Sequence, residues 1–97
     1  MDYKNCVYRF LNESGQIIYI GKATFLKTRM SNHNHLSSNC YKETAKIEFM
    51  SFQTKDDMEF AEAYLIAKHK PKYNDKCVKK SFSIFVPELF KAKNWNV

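Results

Sequence analysis

No apolar run in these 97 residues approaches the roughly 20 that span a bilayer. The opening stretch MDYKNCVYRF lacks the charged, apolar and small-residue succession of a secretory leader. A cytoplasmic protein is expected. Cysteine is scarce and poorly placed for cross-linking: Cys6, Cys40 and Cys77 are odd in number and far apart. That fits neither a disulfide framework nor a Cys-x-x-Cys metal site. His33 and His35 near Cys40 leave a tetrahedral zinc set incomplete. Repeats, linkers and low-complexity segments are absent, and the length leaves room for a single core. Acidic residues run out towards the end. Residues 1–67 balance eight Lys or Arg against eight acids, whereas residues 68–97 set eight lysines against Asp75 and Glu88, so the whole net charge of +6 lies there. Such a segment either tracks a phosphate backbone or is a solvated lysine face; charge alone leaves both open.

What is present is patterned. Residues 4–12 and 16–21 are rich in β-branched and aromatic residues and flank NESG, which predicts a β-hairpin with Asn12 and Gly15 in the turn. After Gly21 the period changes. Leu26 and Met30 are four apart with Phe25 beside Leu26, which predicts a short helix over about 23–34, followed by polar loop. Residues 45–52 predict a third strand with Ile47 and Phe49 on one face and Lys46 and Glu48 on the other. Thr54 with Asp56 and Asp57 predicts a capped helix over 56–69. Met58, Ala61, Leu65 and Ile66 form its apolar side, and Pro71 stops it. SFSIFVPELF predicts a fourth strand ended by Pro87 and then a turn of helix. The element order predicts a small α/β sheet with helices packed on it.

Three sets of residues sit oddly in this pattern. Glu62 falls four after Met58 and four before Ile66, at the edge of the apolar stripe. It either reaches solvent or is answered there by a cation, because an unpaired buried carboxylate is costly. Arg29 and His33 are four apart on the first helix and project together, as a solvated face or as a clamp on an anion. Tyr8 and Tyr19 flank the hairpin turn on neighbouring strands, as packed core residues or as part of a site.

Together these residues resemble the GIY-YIG endonuclease domain, with the greatest likeness to the N-terminal nuclease of the nucleotide-excision-repair incision subunit. The resemblance covers residues 6–74. Cys6-Val7-Tyr8 stands where the family writes Gly-Ile-Tyr or Gly-Val-Tyr, so a cysteine replaces the first glycine. Tyr19-Ile20-Gly21 is the second motif intact, continued by Lys22-Ala23. Arg29 follows ten residues after the second tyrosine, and His33 matches a position that is often His or Tyr. AEAYLIAKHKPKYN is similar to the family's glutamate helix and its closing Pro-x-Tyr-Asn, which puts Glu62 on the metal-binding glutamate and Asn74 on the terminal asparagine.

The resemblance implies a small GIY-YIG-type α/β domain over 1–74, a three-stranded mainly antiparallel sheet flanked by helices, with a basic C-terminal extension over 75–97 packed on or beside it. It implies a metal-dependent DNA endonuclease using Mg2+ or Mn2+. Tyr8 or Tyr19 would activate water, with Tyr8 preferred as the base, and Lys22, Arg29 and His33 would be the cations that favour a phenolate. Arg29 would clamp the scissile phosphate, Glu62 would hold the metal, and Asn74 would support the site. Lys22, Lys27, Arg29, Lys76, Lys79, Lys80, Lys91 and Lys93 are the candidate DNA-contacting cations, and the extension could also pair with a second copy or a partner protein. A non-catalytic nucleic-acid-binding or protein-interaction module on the same fold is the alternative; the complete polar set argues against it.

Overall fold

The computed structural model describes residues 3–31, 38–74 and 87–92. Strands β1 (Lys4–Leu11) and β2 (Ile17–Phe25) form the antiparallel hairpin. Its turn is held by Asn12, whose side-chain Oδ1 accepts from the backbone N–H of Ser14 and of Gln16 at 3.0 and 2.9 Å. Gly15 takes φ +82°, a value that favours glycine. Strand β2 runs on to Phe25 because its ladder continues as far as Phe25 opposite Lys4. Helix α1 (Leu26–Ser31) therefore starts three residues later than the apolar spacing predicts, and Phe25 is a strand residue. Leu26 and Met30 are its buried anchors.

Helix α2 (Ser38–Glu43) replaces part of the expected loop. Its anchor is Cys40, fully buried against the sheet, and Thr44 Oγ1 closes its end by donating to the Cys40 carbonyl at 2.7 Å. Strand β3 (Lys46–Ser51) pairs antiparallel with β1. Helix α3 (Lys55–His69) begins at Thr54, whose Oγ1 accepts from the Asp57 N–H at 3.1 Å. It ends at Lys70, left-handed at φ 46°, one residue before the proline.

The sheet order is β2-β1-β3-β4, a three-stranded antiparallel core extended by the two-residue β4 (Lys91–Ala92). The fourth strand expected before Pro87 falls on residues outside the described ones. After Pro87 the expected helical turn does not form. Lys91 and Ala92 instead pair with Phe49 and Glu48 on the edge of β3, and Glu88 is drawn to Lys68 and His69.

Strand alternation divides the apolar residues between two faces. Cys6, Tyr8, Phe10, Ala23 and Phe49 meet α1 and α2, and Val7, Ile20 and Met50 meet Met58, Ala61 and Leu65 of α3. Ile66, expected among the apolar residues of that helix, is half-buried. No helix among the described residues is long and apolar enough to cross a membrane.

Candidate active site

Strand β2 is the outer strand, and both α1 and α3 pack on it, so side chains from three elements meet there. Gly21 is central. In the ladder it stands opposite Tyr8, while Tyr19 stands opposite Phe10. The two tyrosines are thus diagonal neighbours across the glycine, with ring centroids 6.1 Å apart. A Cβ on Gly21 would lie 2.5 Å from Cζ and the hydroxyl oxygen of Tyr8 and 2.8 Å from Cε2 of Tyr19. Only the bare backbone lets both rings converge. Phe10 backs them, 5.5 Å from Tyr8 and 5.6 Å from Tyr19.

The two tyrosine hydroxyls act on each other: Tyr19 raises Tyr8, and Tyr8 lowers Tyr19. Tyr8 is 1% exposed, and burial, followed by the neighbouring Tyr19, pushes its hydroxyl far above the ordinary phenol range. Tyr19 is half-buried. Burial raises it too; the Tyr8 hydroxyl lowers it, Glu62 raises it and the Arg29 guanidinium lowers it, and the net shift is upward.

Arg29 projects from α1, exposed and without a hydrogen bond or ion pair among the described residues. Its positive charge reaches Tyr8, Tyr19, Tyr41 and Glu62. Glu62 comes from α3, half-buried and likewise without a hydrogen-bond or ion-pair partner among the described residues. Burial holds its carboxyl above the usual range; Lys22 and Arg29 lower it and Glu59 raises it. Lys22, next to Gly21, forms an ion pair of 3.4 Å with Glu59. Asn74 closes the free edge of β2. Its Oδ1 accepts from the Ile20 N–H at 2.9 Å and its Nδ2 donates to the Ile20 carbonyl at 2.8 Å, so the amide replaces a missing strand partner beside both Tyr19 and Gly21. The preceding residue is tied down as well: Tyr73 N–H donates to the Ile18 carbonyl at 2.9 Å and its hydroxyl donates to Glu43 of α2 at 2.8 Å.

Tyr8, Tyr19, Lys22, Arg29, Glu62 and Asn74 are therefore gathered on one edge of the sheet. His33 lies outside the described residues, as do Lys76, Lys79, Lys80 and Lys93. Lys27 is exposed on α1, two residues before Arg29, whereas Lys91 is on β4 at the opposite edge of the sheet. Sequence reasoning misses two neighbours. Glu59 is three residues before Glu62, a helical spacing that signals its proximity. Tyr41, 6.0 Å from Phe10 by ring centroids, sits in the segment expected to be loop and gives no such signal.

No group of three His, Cys, Asp or Glu side chains that could hold a metal occurs among the described residues. Glu62 nonetheless fits a hard divalent ion that keeps most of its water and takes one carboxylate plus substrate phosphate. A half-buried carboxylate with no direct partner is the group such an ion would stabilise.

Residues 4–75 match the model of the UvrC-like GIY-YIG domain. UvrABC system protein C of Rhizobium meliloti is 39% identical over 74 residues, covering 70% of this chain and 11% of its own length. The corresponding Bartonella henselae protein is 34% identical over 80 residues, covering 76% of this chain and 12% of its own length. The chain thus spans about a tenth of these relatives. Among solved structures, the GIY-YIG N-terminal endonuclease domain of Thermotoga maritima UvrC with its catalytic magnesium superposes with a TM-score of 0.63 at 34% identity, covering 71% of this chain and 81% of that one. A point mutant of the same domain, also with its catalytic divalent cation, gives 0.65 at 32% identity, covering 73% and 82%.

Proposed function

Because the chain belongs to the UvrC-like GIY-YIG domain family, we propose that it is a divalent-cation-dependent endonuclease that hydrolyses phosphodiester bonds in DNA. The observation that carries this reading is the meeting, on the free edge of β2, of two tyrosines converging over Gly21 with an arginine and a glutamate that have no direct partner among the described residues. A purely structural cluster would neutralise itself.

In this reading Arg29 takes two oxygens of the scissile phosphate with its planar fork. The proton acceptor is Tyr19 rather than Tyr8, which sequence alone favours. Tyr8 is sealed in the core and burial pushes it far up, whereas Tyr19 is half open and, although burial and Glu62 raise it, Tyr8 and Arg29 act to lower it. The Tyr19 phenolate takes a proton from water, the water oxygen bonds to phosphorus, and the bond to the 3′ oxygen breaks, that oxygen taking a proton from solvent to become a hydroxyl. A divalent cation held by Glu62, when bound, supplies positive charge to the leaving oxygen. Lys22, paired with Glu59, offsets the repulsion between Glu59 and Glu62, and His33 would add a further cation four residues after Arg29. Asn74 holds the Tyr19-Ile20-Gly21 backbone in register. Lys22, Lys27 and Arg29 form the phosphate contacts around the cut. The lysines of residues 75–97 are further candidate phosphate contacts, of which Lys91 lies on β4.

The test is incubation of the protein with plasmid and with end-labelled single strands, with Mg2+ or with EDTA. Cleavage is expected in Mg2+ alone, with a rate that climbs as pH rises towards the alkaline range, because burial leaves Tyr19 mostly protonated at neutral pH. No cleavage of either substrate in Mg2+ would overturn the assignment. A rate flat with pH would remove Tyr19 as the base.

A further inference from the structure

Phe25 is the last residue of β2, directly before Leu26 opens α1. A small polar side chain is usual where a helix begins. Here the position holds an aromatic ring, 43% exposed. Its backbone is fixed on both sides. Phe25 pairs with Lys4 in the ladder, and the Leu26 N–H donates to the Tyr3 carbonyl at 2.9 Å. Strand alternation places the side chains of Tyr19, Gly21, Ala23 and Phe25 on one face, so the ring projects from the same face as the site. Arg29 follows four residues later. Thr24, Phe25, Thr28 and Arg29 line an open cleft of about 330 Å³. On the other side, the Lys4 ammonium lies 5.8 Å from the centre of the Phe25 ring.

A single exposed apolar side chain is ordinary. This one is rigidly mounted, stands between two cations, and shares its cleft with the arginine that faces the tyrosines; the cleft lining carries no acid. An aromatic face flanked by cations is the arrangement that holds an unpaired base and its neighbouring phosphates. A base within a duplex already has both faces covered and cannot offer one.

We propose that Phe25 stacks an unpaired nucleobase of the strand whose phosphate Arg29 engages, so that the domain takes single-stranded or locally opened DNA beside the cut. The inference rests on the endonuclease reading. Thr24 and Thr28 line the cleft along which the sugar-phosphate chain would run, and Lys4 would meet the phosphate beyond the stacked base.

The experiment measures binding in EDTA with oligonucleotides carrying 2-aminopurine at successive positions, single-stranded and duplex, for the wild type, Phe25→Leu and Phe25→Trp. Quenching of the probe at one position by the wild type is expected, lost in Phe25→Leu and kept in Phe25→Trp. Affinity of Phe25→Leu for the single strand should fall roughly 5- to 100-fold, the loss of one base stack, and should fall less for duplex. Absence of quenching by the wild type at every position overturns the proposal, whatever the variants do. So does an equal loss of single-strand and duplex affinity in Phe25→Leu, provided its melting curve matches the wild type. Cleavage by the wild type in Mg2+ separates the two ideas: a protein that cuts DNA but shows no stacking loses only the role of Phe25, and a protein that neither binds nor cuts loses the endonuclease reading as well.

Discussion

Two arginine-glutamate neighbourhoods in this small domain are built from the same residue types and behave in opposite ways. Around Arg9, charges are closed on themselves. Its Nη2 and Nε lie 2.6 and 2.7 Å from Glu48 Oε1, and Nη1 lies 3.5 Å from Glu88. Glu88 also accepts from Lys68 at 2.6 Å and contacts His69 Nε2 at 2.6 Å, and Arg9 covers the Phe90 ring at 4.1 Å. Burial alone would raise Glu48 and Glu88, but hydrogen bonds from Arg9 and Lys46 to the first, and from Lys68 and His69 to the second, bring both below the ordinary carboxylate range. Around Arg29, neither the guanidinium nor Glu62 has a direct partner among the described residues, and burial leaves Glu62 above that range. The satisfied cluster pins residues 87–92 to β1, β3 and α3. The unsatisfied one is open to a phosphate and a cation. A charge left unpaired at a half-buried position is the stronger mark of chemistry.

The largest expected effects lie on the unsatisfied side. Glu62→Gln should lower Mg2+-dependent cleavage by on the order of 10²–10³ or more while leaving the fold intact, because in the proposed reading it removes the carboxylate that would hold the cation. Arg29→Lys keeps the charge but loses the fork, and its loss should also be far beyond threefold. Single-turnover cleavage of a labelled strand measures both. If either variant cuts at nearly the wild-type rate, the contrast between the two neighbourhoods has no catalytic meaning.

How much of this is legible in the sequence depends on whether the signal is local. Tyr8, Tyr19, Gly21, Arg29 and Glu62 lie in short linear patterns, so their convergence can be anticipated from the chain. The cap of α3 is equally local: Thr54 and Asp57 are three residues apart. The start of α1 is not, because Ala23 to Phe25 have no preference strong enough to resist pairing with β1, and the ladder decides. Helix α2 offers one fully buried anchor, Cys40, too little periodicity to declare a helix. The Arg9 cluster is invisible beforehand, since it joins residues 39 and 79 positions apart and depends on where the last strand docks.

On the satisfied side the expected effect is on stability. Arg9→Met leaves the half-buried Glu48 with Lys46 alone and frees Glu88 from one partner, at a cost of about 2 kcal/mol. For a domain of this size that is a fall of on the order of 10 °C in melting temperature. Arg29→Met, which breaks no hydrogen bond or ion pair among the described residues, should melt within a few degrees of the wild type, because substitutions at exposed positions are usually nearly neutral. Thermal unfolding followed by circular dichroism compares them. Equal losses in the two variants would mean that Arg29 is also a structural residue.

The smallest effect gives the sharpest form of the comparison, because its sign should reverse between the two sites. Glu48 and Glu88 have lowered carboxyls, so they contribute stability above the unfolded carboxylate value of ~4.3 that is lost as pH falls below it. Glu62 has a raised carboxyl: the folded state holds its proton more tightly than the unfolded chain does. Its contribution is therefore lost as pH rises from about 4.3 through the raised value, and at neutral pH the ionised side chain costs stability. Glu62→Gln should stabilise the metal-free protein at pH 7 by less than about 1 kcal/mol, since half exposure lets water screen the charge. The gain should vanish below about pH 4, where the wild-type carboxyl is protonated in both states. Glu48→Gln should do the reverse, destabilising at pH 7 and converging with the wild type in acid. Adding Mg2+ should raise the melting temperature of the wild type and leave Glu62→Gln unmoved, as expected when an ion binds only the folded state through that carboxylate. If Glu62→Gln in EDTA melts below the wild type at pH 7, then Glu62 is a structural partner like Glu48, and the cation must be held by other residues.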